Sequence, residues 1–320
     1  MNTFIFQTHK MINFTGKFTT VKMLIFLLTV IGTAGCGRPQ PAIVFQSDFG
    51  LKDGAVSAMK GVALEVDPDL KLYDLTHEIP AYNIWEAAYR LQQTAPYWPK
   101  GTIFVSVVDP GVVTDRKSVV MKSRSGHYFV TPDNGTLSLI SESLGIESIR
   151  QIDEELNRRK NSSKSYTFHG RDVYSYTAAR LAADIVSFER VGPPLPGKVL
   201  RIEYQQPMVS GDSILGNIPI LDIQYGNVWT NISDTLLKKL NLRAGNSLTV
   251  SIRKSGSEIY HGSMPFVKTF GDVPEKQPLA FMNSLMNLSL ALNMFSFSDS
   301  FNVESGPEWK IIINRNKMGK

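Results

Sequence analysis

The sequence predicts an α/β protein: an N-terminal domain built on an open, mostly parallel sheet with flanking helices, followed by a smaller β-rich domain. Three observations indicate this architecture. Apolar strand-like runs alternate with helical stripes from Pro41 to about Arg190, a proline-rich segment interrupts that pattern at 191–197, and short strand patterns dominate the remainder. Repeated strand–helix units are typical of a parallel sheet with helices on both sides.

Each element of the N-terminal domain follows from its own pattern of apolar residues. Residues 102–108 are nearly all apolar, which is typical of a parallel strand buried on both faces. Residues 54–66 instead place Val56, Met59 and Ala63 on one helical stripe. By the same criteria, the sequence predicts strands over 42–45, 70–75 and 102–108, and helices over 54–66, 83–94 and 173–183.

The predicted domain boundary is the segment 191–197. Its prolines at positions 193, 194 and 196 can continue neither a helix nor a central strand. Beyond it, strand patterns at 218–223, 248–252 and 309–314 alternate with Gly and Asn turns, which favours a small barrel or sandwich. The predicted domains are therefore 41–192 and 198–316.

Composition and charge exclude several classes of protein. With 42% hydrophobic and 20% charged residues, the 320-residue chain has the composition of a globular protein rather than a disordered one. Removing residues 1–35, which contain three lysines and no Arg, Asp or Glu, lowers the formal net charge from +5 to +2, so we expect no nucleic-acid partner. One cysteine excludes an intramolecular disulfide, and the five histidines show no metal-ligand spacing, so we predict no metal site.

The first 35 residues are typical of a bacterial lipoprotein signal peptide. Three lysines precede the apolar run Met23–Ile31, which is too short to span a bilayer comfortably. Thr33-Ala34-Gly35-Cys36 resembles a lipoprotein cleavage box, although Thr33 replaces the usual Leu. We therefore expect lipid on Cys36, a linker over 36–40, and an extracytoplasmic protein anchored to a bacterial membrane, facing the periplasm or the cell envelope. The alternative is an unpaired thiol of no consequence.

Two aspartates are placed to meet a ligand. Asp48 and Asp109 each follow an apolar strand closely, and ligands of open α/β sheets bind at the carboxyl ends of the strands. For either residue alone, a role as a loop or cap carboxylate is at least as plausible, because Asp109-Pro110-Gly111 is also an ordinary turn sequence.

Six segments in a fixed order are far more specific than either aspartate. They are Ser47-Asp48-Phe49-Gly50, Asp74-Leu75-Thr76-His77-Glu78-Ile79, Val107-Val108-Asp109-Pro110-Gly111-Val112, Pro132-Asp133-Asn134-Gly135, Thr167-Phe168-His169-Gly170-Arg171-Asp172 and Tyr225-Gly226-Asn227. From about Ala42 to about Asn314, the series resembles the S-adenosylmethionine (SAM) hydroxide adenosyltransferases, adenosine-forming SAM hydrolases related to fluorinases and chlorinases. The resemblance implies an N-terminal α/β domain, a β-barrel-like C-terminal domain, and a homotrimer with active sites between subunits.

The resemblance also implies a role for each matching residue. Asp109, Arg116 and His169 match the water-activating trio of the family. The implied substrate contacts are Asp48 with the ribose, Asp222 with the methionine ammonium, Tyr225 and Asn227 with adenine, and Asn283 and Ser284 in the C-terminal domain. No cofactor is implied.

These residue types suit attack of water on the 5′ carbon of SAM. The leaving thioether is neutral and needs no acid, so the site must orient one water in line with the C–S bond and exclude bulk solvent. Two ribose hydroxyls can donate to one carboxylate, and an ammonium group needs a carboxylate such as Asp222. Because the halogenating relatives are not expected to keep the full trio, Asp109, Arg116 and His169 favour hydroxide over halide.

Four residues depart from the pattern of the family. Ser47 replaces Thr, Val113 and Met286 replace Gly, and Ser289 replaces a common Glu. If position 113 requires a positive φ, a β-branched side chain is strained there. The leading hypothesis is hydrolysis of SAM. The alternatives are hydrolysis of another extracytoplasmic nucleoside, and a lipoprotein that binds an adenosine-like ligand without catalysis.

Overall fold

The N-terminal sheet has seven strands, of which four run parallel. The computed structural model describes residues 40–111 and 115–316. The strands are β1 Ile43–Ser47, β2 Leu72–Thr76, β3 Ile103–Val107, β4 Ser118–Ser123, β5 Tyr128–Pro132, β6 Ile146–Gln151 and β7 Pro194–Leu195, in the spatial order β2-β1-β3-β5-β4-β6-β7. The pairs β2–β1, β1–β3 and β3–β5 are parallel. The carboxyl ends of these four strands therefore lie along one edge of the sheet.

Alternate residues of β1 enter hydrophobic cores on opposite faces of the sheet, because side chains of a strand alternate. Ile43 and Phe45 pack in the core that contains Met59 of helix α1 (Ala55–Val66). Val44 packs in the core that contains Leu91 of helix α2 (Ile84–Thr94). Both faces are covered, which explains why all five residues of β1 and of β3 are buried. The predicted α/β fold class is confirmed.

The other half of the sheet is antiparallel and was not predicted from the sequence. β4 pairs antiparallel with both β5 and β6, and β7 pairs antiparallel with β6 at the edge. β4 and β5 are joined by a short turn that contains Gly126 at φ +87°, and so short a connection requires antiparallel strands. β7 lies in the proline-rich segment at the edge of the sheet. Proline has no amide hydrogen to donate, and the outer side of an edge strand requires no donor, so proline is tolerated there.

The helices begin close to the predicted positions, with one difference. The side chain of Asn83 accepts a hydrogen bond from the Glu86 amide at 2.9 Å and caps α2. The helix predicted over 173–183 begins earlier, with a π-helical turn at Gly170–Ser175. The remaining helices are α3 Ser138–Ser143, α4 Tyr176–Ala182, α5 Asp234–Lys239 and α6 Phe297–Phe301, with 3-10 turns at Ala95–Tyr97, Phe188–Arg190 and Phe270–Asp272.

The C-terminal region consists of two antiparallel sheets around one hydrophobic core. Its strands are β8 Met208–Ser210, β9 Ser213–Asn217, β10 Ile220–Leu221, β11 Val228–Ser233, β12 Ser247–Lys254, β13 Ser257–Pro265, β14 Pro278–Met282, β15 Asn287–Leu292 and β16 Trp309–Arg315. The sheet orders are β10-β11-β15-β14 and β13-β12-β16-β9-β8. The strand predicted over 218–223 is shorter than expected, since only Ile220 and Leu221 remain in it after Pro219.

One buried hydrogen bond joins the α/β region to the β region. The indole Nε1 of Trp85 on α2 donates to the carbonyl of Pro219 at 2.8 Å, and Ile220 packs in the same cluster as Trp85 and Tyr89. Cys36 and Val113 lie outside the described residues, so the expectations for the lipid anchor and for the Val113 loop stay predictions. Among the residues that the structure describes, no helix is both long and apolar enough to cross a membrane.

Candidate active site

Residues of the ordered motifs gather at the carboxyl edge of the parallel strands. Asp48 follows β1 directly, His77 follows β2, and Asp109 lies two residues beyond the end of β3. After β5, the side-chain amide of Asn134 donates to the Val108 carbonyl at 2.9 Å and ties that loop to the end of β3. This edge is where ligands of open α/β sheets bind.

Asp109 and Arg116 form a two-pronged ion pair. Arg116 Nε donates to Asp109 Oδ1 at 2.8 Å, and Nη2 donates to Oδ2 at 2.5 Å. Only 9% of the Arg116 side chain and 3% of the Asp109 side chain are exposed. Burial alone would lower the pKa of Arg116, but the hydrogen bond to Asp109 outweighs it and the pKa is raised. The two parallel hydrogen bonds therefore hold the guanidinium and the carboxylate in one geometry.

His169 is buried beside a second ion pair. Its Nε2 lies 3.4 Å from Glu154 Oε2 and 3.4 Å from Arg158 Nη2, and Arg158 Nη2 donates to the same Glu154 oxygen at 2.5 Å. A hydrogen bond with His169 lowers the pKa of Glu154 to about 2, against the effect of partial burial. Among the described residues, His169 Nδ1 is a buried atom without a hydrogen-bond partner.

Ser118 connects the two ion pairs into one network. Arg116 Nη1 donates to Ser118 Oγ at 3.2 Å, and Ser118 Oγ donates to Glu154 Oε1 at 3.0 Å. The Tyr174 hydroxyl lies 3.3 Å from the same Ser118 oxygen, and burial raises the pKa of Tyr174. The predicted trio is thus linked from Asp109 to His169 through Ser118 and Glu154.

Sequence reasoning missed four residues of this network: Ser118, Glu154, Arg158 and Tyr174. Each lies outside the six ordered motifs, so no signal in the single sequence distinguished them from surface or core residues.

Gly170 permits the close approach of the histidine segment to β3. A Cβ at position 170 would lie 2.9 Å from Val107 Cγ1, closer than side chains tolerate. The π-helical turn that follows is a geometry often found at functional sites. Glycine at 170 therefore allows His169 to lie next to β3, which leads into Asp109.

Asp48 is held by the backbone of a neighbouring loop. Its Oδ2 accepts a hydrogen bond from the Tyr82 amide at 2.9 Å, and Tyr82 adopts φ +68° with 72% of its side chain exposed. On the other side, the Gly50 amide donates to the His77 carbonyl at 2.7 Å. The carboxylate is half-buried and remains accessible to a ligand at the edge of the sheet.

The predicted C-terminal contacts line one groove of about 980 Å³. All five of them are present there, namely Asp222, Tyr225, Asn227, Asn283 and Ser284. Asn227 Nδ2 donates to Asp222 Oδ2 at 3.3 Å, and the ring of Tyr225 is 67% exposed. Gly226 between them has φ +65°, and a Cβ there would clash with the Ser296 side chain.

The side chain of Asn283 is used by its own turn. Its Oδ1 accepts hydrogen bonds from the amides of Leu285 and Asn287 at 2.9 and 3.1 Å, and its Nδ2 donates to Ser289 Oγ at 3.0 Å. Met286 in this turn has φ +59°, a left-handed conformation that favours the Gly expected there. Asn283 therefore shapes the groove wall, and the exposed Ser284 beside it remains available.

The structure thus brings the predicted residues together in two places. Asp109, Arg116 and His169 form one network, with Asp48 on the same sheet edge, and none of these four lines the C-terminal groove. No group of three or more His, Cys, Asp or Glu side chains suited to a metal ion occurs in the described ranges 40–111 and 115–316.

Comparison with known proteins identifies the family. The SAM hydroxide adenosyltransferase N-terminal domain matches residues 43–192, and the C-terminal domain of the same family matches residues 216–310. The chain belongs to the SAM hydroxide adenosyltransferase family. Both matches include the residues that the ordered motifs singled out.

Individual relatives are similar over most of the chain. The (R)-S-adenosyl-L-methionine hydrolase of Methanocaldococcus jannaschii is 38% identical over 63% of this chain and 74% of that protein. The hydrolase of the same name from Thermus thermophilus is 31% identical over 82% of this chain and 96% of that protein. An uncharacterized conserved protein from Thermotoga maritima has the same fold, with a TM-score of 0.76 and 34% identity over 85% of this chain and 100% of that structure.

Proposed function

We propose that this protein hydrolyses SAM to adenosine and methionine. The observation that carries the proposal is the buried network in which the Asp109–Arg116 pair is linked through Ser118 and Glu154 to His169. The network lies at the sheet edge where a ligand binds, and the similar hydrolases are named for the same reaction.

The reaction needs a water molecule that is oriented and partly deprotonated. Water oxygen bonds to the 5′ carbon as the C–S bond breaks, and sulfur keeps the bonding electron pair and leaves as the neutral thioether of methionine. The proton of the attacking water passes to His169, while the fixed dipole of the Asp109–Arg116 pair orients the oxygen. No acid is required for the leaving group, because sulfonium becomes neutral as it departs.

Substrate contacts come from both halves of the molecule. Asp48 has the position and exposure to accept the two ribose hydroxyls. In the C-terminal groove, Tyr225 offers an exposed ring face to adenine, Asn227 offers an amide, and Asp222 offers a carboxylate to the ammonium group.

The active site is proposed to form between subunits of a homotrimer. Exposed apolar side chains flank both places: Leu51 and Tyr82 near Asp48, and Ile223, Tyr225 and Met294 at the groove, each at least 65% exposed. Apolar patches of this kind mark interaction surfaces. A second copy of the chain that lays its groove against the Asp48 edge would bury both patches and complete the site.

Subunit complementation tests this arrangement. His169→Ala and Asn227→Ala chains, each inactive alone, should regain activity when co-expressed, because some sites then receive both wild-type contributions. Light scattering should give the mass of three chains. A fully active monomer, or no recovery in mixed oligomers, would contradict a site between subunits.

Isotope labelling tests the reaction itself. The purified protein, supplied with SAM in heavy-oxygen water and without added metal or cofactor, should form adenosine that carries the label in its 5′ hydroxyl. Methionine should carry none. Binding of SAM without labelled adenosine would instead support the ligand-binding alternative, and label in adenosine from another nucleoside would support a different substrate.

The N-terminal segment is proposed to place this activity outside the cytoplasm. The basic region, the apolar run and the small residues before Cys36 support cleavage and lipid attachment at that cysteine. Mass spectrometry of the native protein should find an acylated N-terminal cysteine, and Cys36→Ser should abolish membrane association. An unprocessed chain in the cytosol would contradict the proposal.

A further inference from the structure

We infer that Glu154 is a positioning residue for the water-activating histidine, and that it directs Nδ1 of His169 to the reacting water. The inference rests on the proposed hydrolysis and adds to it a residue outside the motif trio. Three contacts place the Glu154 carboxylate at the junction of the network, with Ser118, Arg158 and His169.

The hydrogen bonds of Glu154 have a definite direction. Ser118 Oγ lies between Arg116 Nη1 at 3.2 Å and Glu154 Oε1 at 3.0 Å. A guanidinium can only donate and a carboxylate can only accept, so the Ser118 hydroxyl donates to Glu154 and accepts from Arg116. The carboxylate oxygen Oε2 accepts from Arg158 at 2.5 Å and is the acceptor that faces His169 Nε2.

This arrangement favours one tautomer of His169. Nε2 faces the Glu154 carboxylate, which can only accept, and the Arg158 guanidinium, which can only donate, each at 3.4 Å. Because Arg158 Nη2 already donates to Glu154 Oε2 at 2.5 Å, we assign the ring proton to Nε2, directed at that carboxylate, which leaves a lone pair on Nδ1. Nδ1 is buried and, within the described part of the chain, has no hydrogen-bond partner. It is therefore the ring atom that is able to accept the proton of an attacking water.

The charges around the ring explain why the carboxylate matters for the reaction. Arg158, whose side chain is 8% exposed, faces Nε2 from the same segment as Glu154, and the Tyr174 ring lies 6.3 Å from the imidazole. On the π-helical turn, Arg171 and Asp172 pair with each other. The negative charge of Glu154 compensates the positive charge of Arg158. Protonation of His169 therefore does not place a second positive charge beside an uncompensated cation.

Removal of the Glu154 charge would leave Arg158 as an uncompensated cation beside the imidazole. The protonated form of His169 would then be disfavoured by the neighbouring positive charge. A hydrogen bond with His169 keeps the pKa of Glu154 near 2, so the carboxylate is charged throughout the range in which a histidine titrates.

The kinetic test compares Glu154→Gln with Glu155→Gln in the purified full-length protein. Glu154→Gln keeps the shape and the acceptor for Ser118, but kcat should fall about 10- to 100-fold with KM for SAM changed less than about twofold. The acid limb of the kcat–pH profile should move to lower pH by about one unit. Glu155 is exposed, and its variant should behave like the wild type.

The conservative variant Glu154→Asp separates positioning from folding. It keeps the charge, so its pH profile should stay close to that of the wild type even if kcat is lower. An unchanged profile and rate in Glu154→Gln would overturn the inference. Equal losses in the Gln and Asp variants with an unshifted profile would also overturn it, because that result indicates a purely structural role.

A second measurement does not depend on catalysis or on a variant of Glu154. Nitrogen-15 NMR of the histidine rings of the wild-type protein, with His169 assigned by its loss in His169→Ala, should show the Nε2-protonated tautomer. The Nδ1-protonated tautomer would overturn the inference. If the wild type did not turn over SAM at all, the proposed function would fail, while the NMR result would still decide the role of Glu154.

Discussion

The hydroxyl of Ser47 lies 2.7 Å from Nδ1 of His77, and both side chains are buried. The other ring nitrogen of His77 lies 3.0 Å from Asp74 Oδ1, and Asp74 in turn accepts a hydrogen bond from Lys60 at 2.6 Å. Because Asp74 favours a proton on Nε2, Nδ1 accepts from Ser47. This series of hydrogen bonds ties the end of β1 to the end of β2 immediately beside Asp48. Because the Ser47 hydroxyl is buried, it is not available to attack a substrate, and its hydrogen bond to His77 instead positions the loop that carries Asp48.

We predict that His77→Ala raises KM for SAM about tenfold and changes kcat less, because Asp48 loses the support that orients it. One lost hydrogen bond of this kind corresponds to that factor. Steady-state kinetics measures both parameters. The control is His127→Ala, which removes a buried histidine away from the site, whose Nε2 donates to the Trp98 carbonyl at 3.0 Å and whose Nδ1 lies 2.8 Å from Ser125 Oγ. That variant should lose stability without a change in KM, and equal KM values in the two variants would contradict the prediction.

Variants of the trio should lower kcat, whereas a variant of the ribose contact should weaken SAM binding. His169→Ala should lower kcat by roughly a hundredfold or more, the usual scale for losing a positioned proton-transfer group. Asp109→Asn should lower kcat by a roughly similar factor, because the ion pair that orients the water is lost, and calorimetry should still detect SAM binding to both variants. Asp48→Ala should instead weaken binding, because two ribose hydroxyls lose their acceptor. A reversal of these two effects would show that the roles are assigned wrongly.

Gly170→Ala should lower both stability and kcat. The added methyl group meets Val107 Cγ1 at 2.9 Å and must displace the π-helical turn that carries His169. Overpacking of this kind costs about 1–3 kcal/mol of unfolding free energy. Val107→Ala in the same chain provides space and should restore part of both quantities. Urea unfolding and kcat of the two single variants and the double variant form the test, and purely additive losses would exclude the contact as the cause.

Met286→Gly should stabilise the protein by about 0.5–1 kcal/mol. A non-glycine residue in the left-handed conformation costs roughly 1–2 kcal/mol, which the substitution removes. Glycine loses more conformational entropy on folding, which offsets roughly 0.5–1 kcal/mol of this stabilisation. Met286 is 57% exposed, so little packing is lost. The matched control is Leu285→Gly in the same turn, which should destabilise the protein. Urea unfolding of both variants decides the outcome, and destabilisation by Met286→Gly would contradict it.

The Glu154 carboxylate should make stability sensitive to acid. Its pKa is about 2 in the folded protein, against 4.5 as the ordinary value. Its contribution is therefore fully present above pH 4.5, and it is lost as the pH falls through 2. Urea unfolding at pH 5 and pH 3 should show a smaller stability difference between wild type and Glu154→Gln at the lower pH. Glu155→Gln should track the wild type at both pH values. An unchanged difference for Glu154→Gln would show that this carboxylate is not perturbed.

The sequence alone determined the features that depend on local pattern. Continuous apolar runs at β1 and β3 identified strands buried on both faces, and Asp48 and Asp109 were recognisable because each follows such a strand. Helical stripes identified α1 and α2 to within one residue of their observed beginnings. Ordered motifs identified the family and the candidate trio.

Only the tertiary structure decided which residues surround the trio and how its charges are balanced. Ser118 lies on β4, which inserts between β5 and β6 as an antiparallel strand, and Glu154 follows β6. The Ser118–Glu154 hydrogen bond joins residues 36 positions apart, and the Ser118–Tyr174 contact joins residues 56 apart. Contacts over such separations are set by strand order and register rather than by local propensity, because either direction of β4 buries the same apolar residues. The separation of the candidates into a sheet edge and a C-terminal groove has the same origin, since only the packing of the two regions fixes which surfaces face each other.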